Sequence, residues 1–179
     1  MTAPRLGSIL CYAFAPTIFL SGCILPLRTP TCGANPAQRL LNQINEVRAR
    51  EGVPPVWPNV LLARAAQAHA QAIADGEATG HFGPHGSDPL QRITDAGYRP
   101  RAFGENIAMG SSAPRLVVEA WMRSPGHRQV LLDPLVQEVG LGGVLDPDYP
   151  IWVADFGSGR ESAETRCHPW RTDSTGTTR

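Results

Sequence analysis

The chain has 179 residues, 42% hydrophobic and 18% charged, with 18 Gly and 17 Pro, which suits one compact domain plus end segments and leaves no room for a second full domain. All 16 basic residues are arginine, so a Schiff-base lysine, a lysine general base and a P-loop lysine are excluded. They balance 16 acidic residues, and with no arginine-rich stripe the electrostatic footprint of a nucleic-acid partner is missing.

At the N-terminus, Arg5 precedes an apolar run from Leu6 to Leu20. It is short of the ~20 residues that span a bilayer and reads as an export signal. The run closes on Leu20, Ser21, Gly22 and Cys23, which is similar to the lipobox of bacterial lipoproteins. That resemblance implies cleavage after residue 22 and lipidation of Cys23. An Ala-x-Ala site at Ala13-Phe14-Ala15 is followed by Pro16 and makes a poor cleavage context; simple secretion and a retained anchor are the competing readings. Each buried methylene of an acyl chain contributes about 0.8 kcal/mol, so a palmitate-type, multiply acylated Cys23 would hold the domain on the outer surface of a membrane. Removing residues 1–22 removes Arg5 and no acid, leaving 15 basic against 16 acidic residues, a formal charge of −1.

The four cysteines then sort in turn. Cys11 lies in the signal, Cys23 takes the lipid, and Cys32 and Cys167 flank the remaining chain. In an exported protein these two are expected to be bridged, which would stabilise the fold by roughly 4–5 kcal/mol in the chain-entropy model. Two free thiols are the alternative.

Residues 23–35 form a Pro- and Thr-rich tether, 36–157 the ordered domain, and 158–179 a polar Ser/Thr-rich tail. Asn35-Pro36 predicts a helix start, with Leu40, Leu41, Ile44 and Val47 on one face until Gly52. VPPVWPN reads as a proline-braced loop. Asn59 then caps a second helix whose stripe is Leu62, Ala65, Ala66, His69 and Ile73, ended by Asp75-Gly76. His69, on that apolar stripe, reads as a hydrogen-bonded core histidine rather than a ligand. Pro89 to Ala96 predicts a short helix closed by Gly97, and Gly104 to Met109 a short strand. A third long helix opens at Ser111-Ser112 and Pro114 and runs to about Ser124, followed by strands over Val136–Leu145 and Ile151–Phe156. Helices first and strands late predict an α+β domain with an antiparallel sheet covered by helices.

No Gly-x-Ser-x-Gly, HExxH or CxxC motif occurs. What remains is His and Glu in Gly-rich settings: GHFGPH (80–85), GEN (104–106) and PGH (125–127). Together with HFGPHGSDPLQRITDAGY (81–98), GENIA (104–108), VVEAWMRSPGHR (117–128), GLG (140–142) and WVADFG (152–157), these resemble the CAP superfamily, or SCP domains, in its short bacterial form. The resemblance covers about residues 38–157. It implies a three-layer α-β-α sandwich with an antiparallel sheet and a surface cleft where two histidines and two glutamates can hold a divalent metal.

Carried over position by position, the family's interval to Arg92-Ile93 selects His81 for the first histidine, with His85 as an alternate or accessory ligand. Glu105 and His127 match directly; their bland readings are a structural hydrogen bond and a helix-capping histidine. The second glutamate of larger members falls on Ser124. Glu119 is near in sequence, but at about 100° per residue it points roughly 140° from the stripe of Val117, Ala120, Trp121 and Ser124. It is expected to face solvent and pair with Arg115 or Arg123. Val130 replaces an asparagine frequent in relatives and is expected to loosen the turn after His127. His81, Glu105 and His127 make a His₂Glu set suited to Zn²⁺ with an open position for water, though their spacing alone does not diagnose a metal.

Two functions compete. The first is an exported, lipid-anchored binding module that captures a lipid or peptide ligand in this cleft. The second is a zinc-dependent hydrolase using the same residues, against which stand Ser124 and the lack of a separate general base. A structural envelope role is the third reading.

Overall fold

A computed structural model describes residues 35–159. The expected signal, the Cys23 lipid site, the Cys32–Cys167 bridge and nearly all of the polar tail lie outside them. The described elements are α1 (Pro36–Arg50), β1 (Trp57–Pro58), α2 (Val60–Ala74), a 3₁₀ turn (Pro84–Gly86), α3 (Pro89–Asp95), β2 (Pro100–Met109), α4 (Pro114–Arg123), α5 (Pro125–Leu131), β3 (Glu138–Val144) and β4 (Ile151–Gly159). No described helix is long and apolar enough to cross a membrane.

The helix boundaries follow from their caps. The Asn35 side chain accepts from Ala37 N, and that of Asn59 from Leu61 and Leu62 N, so orphan donors of each first turn are satisfied. Asp88 does the same for α3 by accepting from Gln91 N. Gly52 and Gly76, just past α1 and α2, have φ of 72° and 76°, which a side chain would strain.

The sheet order is β1-β3-β4-β2. β2 and β3 both pair antiparallel with β4, which therefore lies inside the sheet. Alternation along β4 separates two layers. Trp152, Ala154 and Phe156 join Leu40, Ile44 and Val47 of α1, Val117 and Trp121 of α4 and Leu131 of α5 in one core, while Ile151 and Val153 meet Ala66 and Ala70 of α2 in another. Leu62 and Ala65 of α2 pack with Ile93 of α3 and Tyr98. The architecture is thus α1, α4 and α5, then the sheet, then α2 and α3: an α-β-α sandwich.

Three details differ from the expectation. The proline loop contributes β1, which pairs parallel with β3, so the sheet is mixed rather than wholly antiparallel. Trp57 N and Asn59 N donate to Gln137 O and Val139 O on either side of Pro58, whose missing N–H therefore costs no ladder bond. β2 starts four residues before Gly104 because it stays paired with β4 through an irregularity next to Arg101. Finally, the helix after Pro114 ends at Arg123. Ser124 is extended at φ −94° and ψ 120°, and Pro125 starts a separate helix in its first turn.

Candidate functional site

β2 is an outer strand of the sheet, and the candidate site straddles it. α3 packs near β2 on one side and α5 on the other. Glu105 stands on β2 facing the α2 layer, since Ile107, two residues on, packs against α2. His81 comes from the loop after α2, and His127 is the third residue of α5.

The Glu105 side chain is 1% exposed and both oxygens are engaged. His81 Nδ1 lies 2.7 Å from Oε1, and the Arg92 guanidinium donates to Oε2 at 2.6 Å. Glu105 accepts from His81, which places a proton on Nδ1. Arg92 also donates to the carbonyls of His81 and Ser87, at 3.0 and 2.7 Å, and so fixes the loop as well as the carboxylate. His69 anchors the same loop from below, its Nε2 being 2.8 Å from Gly80 O. It is buried in α2, as a core histidine should be, and burial is the main cause holding its pKa below the ordinary value.

The His127 ring centroid is 6.5 Å from that of His81, tilted by 49°. Burial first, and then His81, lower the pKa of His127, so its ring is neutral at pH 7. Its carbonyl accepts from Asn106 Nδ2 at 2.9 Å, tying α5 to the strand. Val130 packs on β2 at Gly104: a Cβ there would lie 2.7 Å from Val130 Cγ1, so glycine lets α5 come this close.

The structure thus gathers His81, Glu105 and His127 and separates the other candidates from them. His85 sits at φ 57° in the 3₁₀ turn and lines, with His69, Arg92 and Asp95, a different cavity of about 370 Å³. Ser124 is the hinge between α4 and α5. Glu119 pairs with Arg115 along an exposed groove beside α1. The buried stripe of α4 is Val117, Val118 and Trp121, with Ala120 outside it.

The three gathered residues do not fit a divalent metal as they stand. Arg92 already occupies one Glu105 oxygen with a positive charge and His81 the other, and among the described residues no group of three His, Cys, Asp or Glu is arranged to hold an ion. In this arrangement Glu105 supports His81 and Arg92 and offers no free oxygen to an ion.

One member escaped the sequence reading. Asp155 faces Glu105 directly across the β2–β4 ladder and is 1% exposed. Neither of its oxygens meets a donor among the described residues, an environment that favours the neutral, protonated acid over the carboxylate. Burial, then repulsion from Glu105, push its pKa well above the usual carboxylate range, against an opposing pull from Arg92. A carboxyl that gains proton affinity on folding stabilises the fold at low pH and loses that contribution as pH rises through its folded pKa. Asp155→Asn, a permanent neutral mimic, should therefore raise stability at pH 8 by on the order of 1–2 kcal/mol and flatten the decline with pH. Urea unfolding at pH 5 and 8 measures both; equal or lower stability at pH 8 would refute a neutral Asp155 in the folded protein.

The family model of the cysteine-rich secretory protein family, CAP, matches residues 41–156. The uncharacterized protein YkwD of Bacillus subtilis is 31% identical over 119 residues, 66% of this chain but 46% of that protein, so the match spans about half of the relative's length. Among solved structures, an outer surface protein of Borrelia burgdorferi aligns with a TM-score of 0.65 at 23% identity, covering 70% of this chain and 93% of that one. An extracellular SCP-domain protein of Bacillus anthracis gives 0.59 at 24% identity, covering 67% and 39%.

Proposed function

Because this chain belongs to the CAP family, also known as the cysteine-rich secretory protein family, we propose that it is an exported, envelope-anchored binding module whose ligand occupies the cleft between His81 and His127. The observation that carries this reading is the state of Glu105. With its oxygens bonded to His81 and Arg92 and its side chain closed to solvent, it is a fixed support and not a free base. Two imidazoles over a rigid floor suit recognition, where side chains held in place before binding lower the cost of ordering. The extracellular and outer-surface descriptions of the Bacillus anthracis and Borrelia burgdorferi proteins favour export. The lipobox-like Leu20–Cys23 favours anchoring through Cys23.

Calorimetric zinc titration of residues 33–179 separates binding from metal hydrolysis. Wild type and His127→Ala should both give no saturable heat; tight zinc binding lost in His127→Ala would restore the hydrolase reading. Anchoring is read separately. Cys23→Ser should move the protein from the membrane fraction to the soluble one, and unchanged membrane retention would exclude lipidation there.

A further inference from the structure

The main-chain bonding of β2 says more about the ligand. Gly110 N donates to Pro150 O at 2.9 Å, and in this register Ala108, Asn106 and Gly104 lie opposite Trp152, Ala154 and Phe156. Antiparallel ladders alternate, so those residues turn their N–H and C=O groups toward β4, while Phe103, Glu105 and Ile107 turn theirs outward. The Trp121 indole, donating to Ile107 O at 3.0 Å, fits this alternation and closes the outer side at that point. At Phe103 and Glu105 the outward groups have no partner among the described residues. Glu105 as a whole is 7% exposed while its side chain is 1%, so what a ligand can reach there is main chain. Phe103 is 44% exposed.

Resting on the binding-module reading, we propose that the outer edge of β2 from Phe103 to Glu105 takes up an extended peptide as a fifth strand, beside the His81–His127 cleft. The occupant is argued from the groups left unpaired. Two residues, each offering one outward donor and one outward acceptor at a two-residue repeat, are the complement of another extended backbone and of nothing in an acyl chain. An added antiparallel strand pairs with Phe103 and Glu105 through four hydrogen bonds over about 7 Å of chain. Its side chains on the α5 side meet a cavity of about 160 Å³ lined by Phe103, Gly104, Gln129, Val130, Asp133 and Val136. A larger cavity of about 660 Å³ near α5 has Arg128 and Asp133 on its walls, which does not suit a lipid tail.

The test uses the mature chain and two fluorescein-labelled mixtures of randomised hexapeptides, one N-methylated at every residue so that the peptide donors are gone. Fluorescence anisotropy should show the unmethylated mixture binding at least tenfold more tightly, with amide shifts at Phe103 and Glu105. Phe103→Ala keeps the N–H and reports the loss of the ring alone, whereas Phe103→Pro also deletes one outward N–H and no ladder bond, and should bind about fivefold to tenfold more weakly than Phe103→Ala. Equal binding of both mixtures, with shifts confined to His81 and His127, would overturn strand addition and leave cleft binding standing. Dodecylphosphocholine micelles shifting the cleft while peptides do not would overturn it in favour of a lipid. No peptide binding at millimolar concentration, or slow hydrogen exchange of the Phe103 amide in the free protein, would also overturn it. The methylated mixture keeps the test valid should Phe103→Pro fail to fold.

Discussion

Gly140→Ala should abolish cooperative folding. A Cβ at Gly140 would lie 2.0 Å from both Ala63 N and Leu62 C, and one at Gly142 would lie 2.3 Å from Gln67 N. These contacts are with the main chain of α2, which cannot rotate aside as a side chain can, so the helix must lift from the sheet. Lifting it exposes Leu62, Ala66 and Ala70 and separates α2 from Ile151 and Val153. The cost should exceed about 4–5 kcal/mol, within reach of the whole stability of an ordinary domain. Thermal unfolding followed by circular dichroism reads it directly. Gly126→Ala is the internal control: an added methyl there meets nothing within 4 Å, and the change should be close to neutral. A cooperative transition in Gly140→Ala within about 1 kcal/mol of wild type would contradict the contact of α2 on β3.

The second large effect is expected at Arg48, which is fully buried in α1. Its Nε donates to Pro54 O at 2.7 Å, Nη1 to Leu131 O at 2.8 Å and Asp133 O at 3.2 Å, and Nη2 to Val136 O at 3.2 Å. Burial lowers its pKa, partly offset by Asp133, yet an arginine stays charged under any working condition. One side chain therefore joins α1 to the loop before α2, the end of α5 and the approach to β3. Arg48→Met keeps most of the stem and leaves four carbonyls without donors, for a loss of about 3–4 kcal/mol in urea unfolding. Arg48→Lys should recover only part of this, because an ammonium cannot reach acceptors spread around a planar fork. The His127 amide should shift in the methionine variant, since Leu131 ends the helix that carries it. Stability within about 1 kcal/mol of wild type would show that water replaces the guanidinium at no cost.

How much of this was legible beforehand varies with the element. α1, α2 and α3 carry complete signals: Asn35, Asn59 and Asp88 as caps, and glycine beyond each end. The seven residues of α5 are too few to show a helical period, so PGH signals a break without signalling that Pro125 starts a new helix. β1 has two residues, one of them proline, and exists only because Gln137 and Val139 offer carbonyls to its flanks. At the site, the family resemblance named His81, Glu105 and His127 as candidates, and the structure places His81 beside both of the others. Asp155 could be found only from register, since its proximity to Glu105 depends on how two segments some fifty residues apart are paired. The available hint was a lone acid in the apolar run of WVADFG. Arg92 served as a spacing landmark in the sequence, and its contact with Glu105 is what changes the chemistry expected of the cleft.

The position of β4 has a consequence for how the protein is made. The last described strand is an inner one, hydrogen-bonded to β2 on one side and β3 on the other. Until Ile151–Gly159 is available, β2 has no neighbour in the sheet and Trp121 and Leu131 lack Trp152 and Phe156 to pack against. A nascent chain lacking this segment cannot close its core, and contacts of such long sequence separation form slowly. For a chain exported as proposed above, that delay would keep the polypeptide open until β4 arrives to close the sheet.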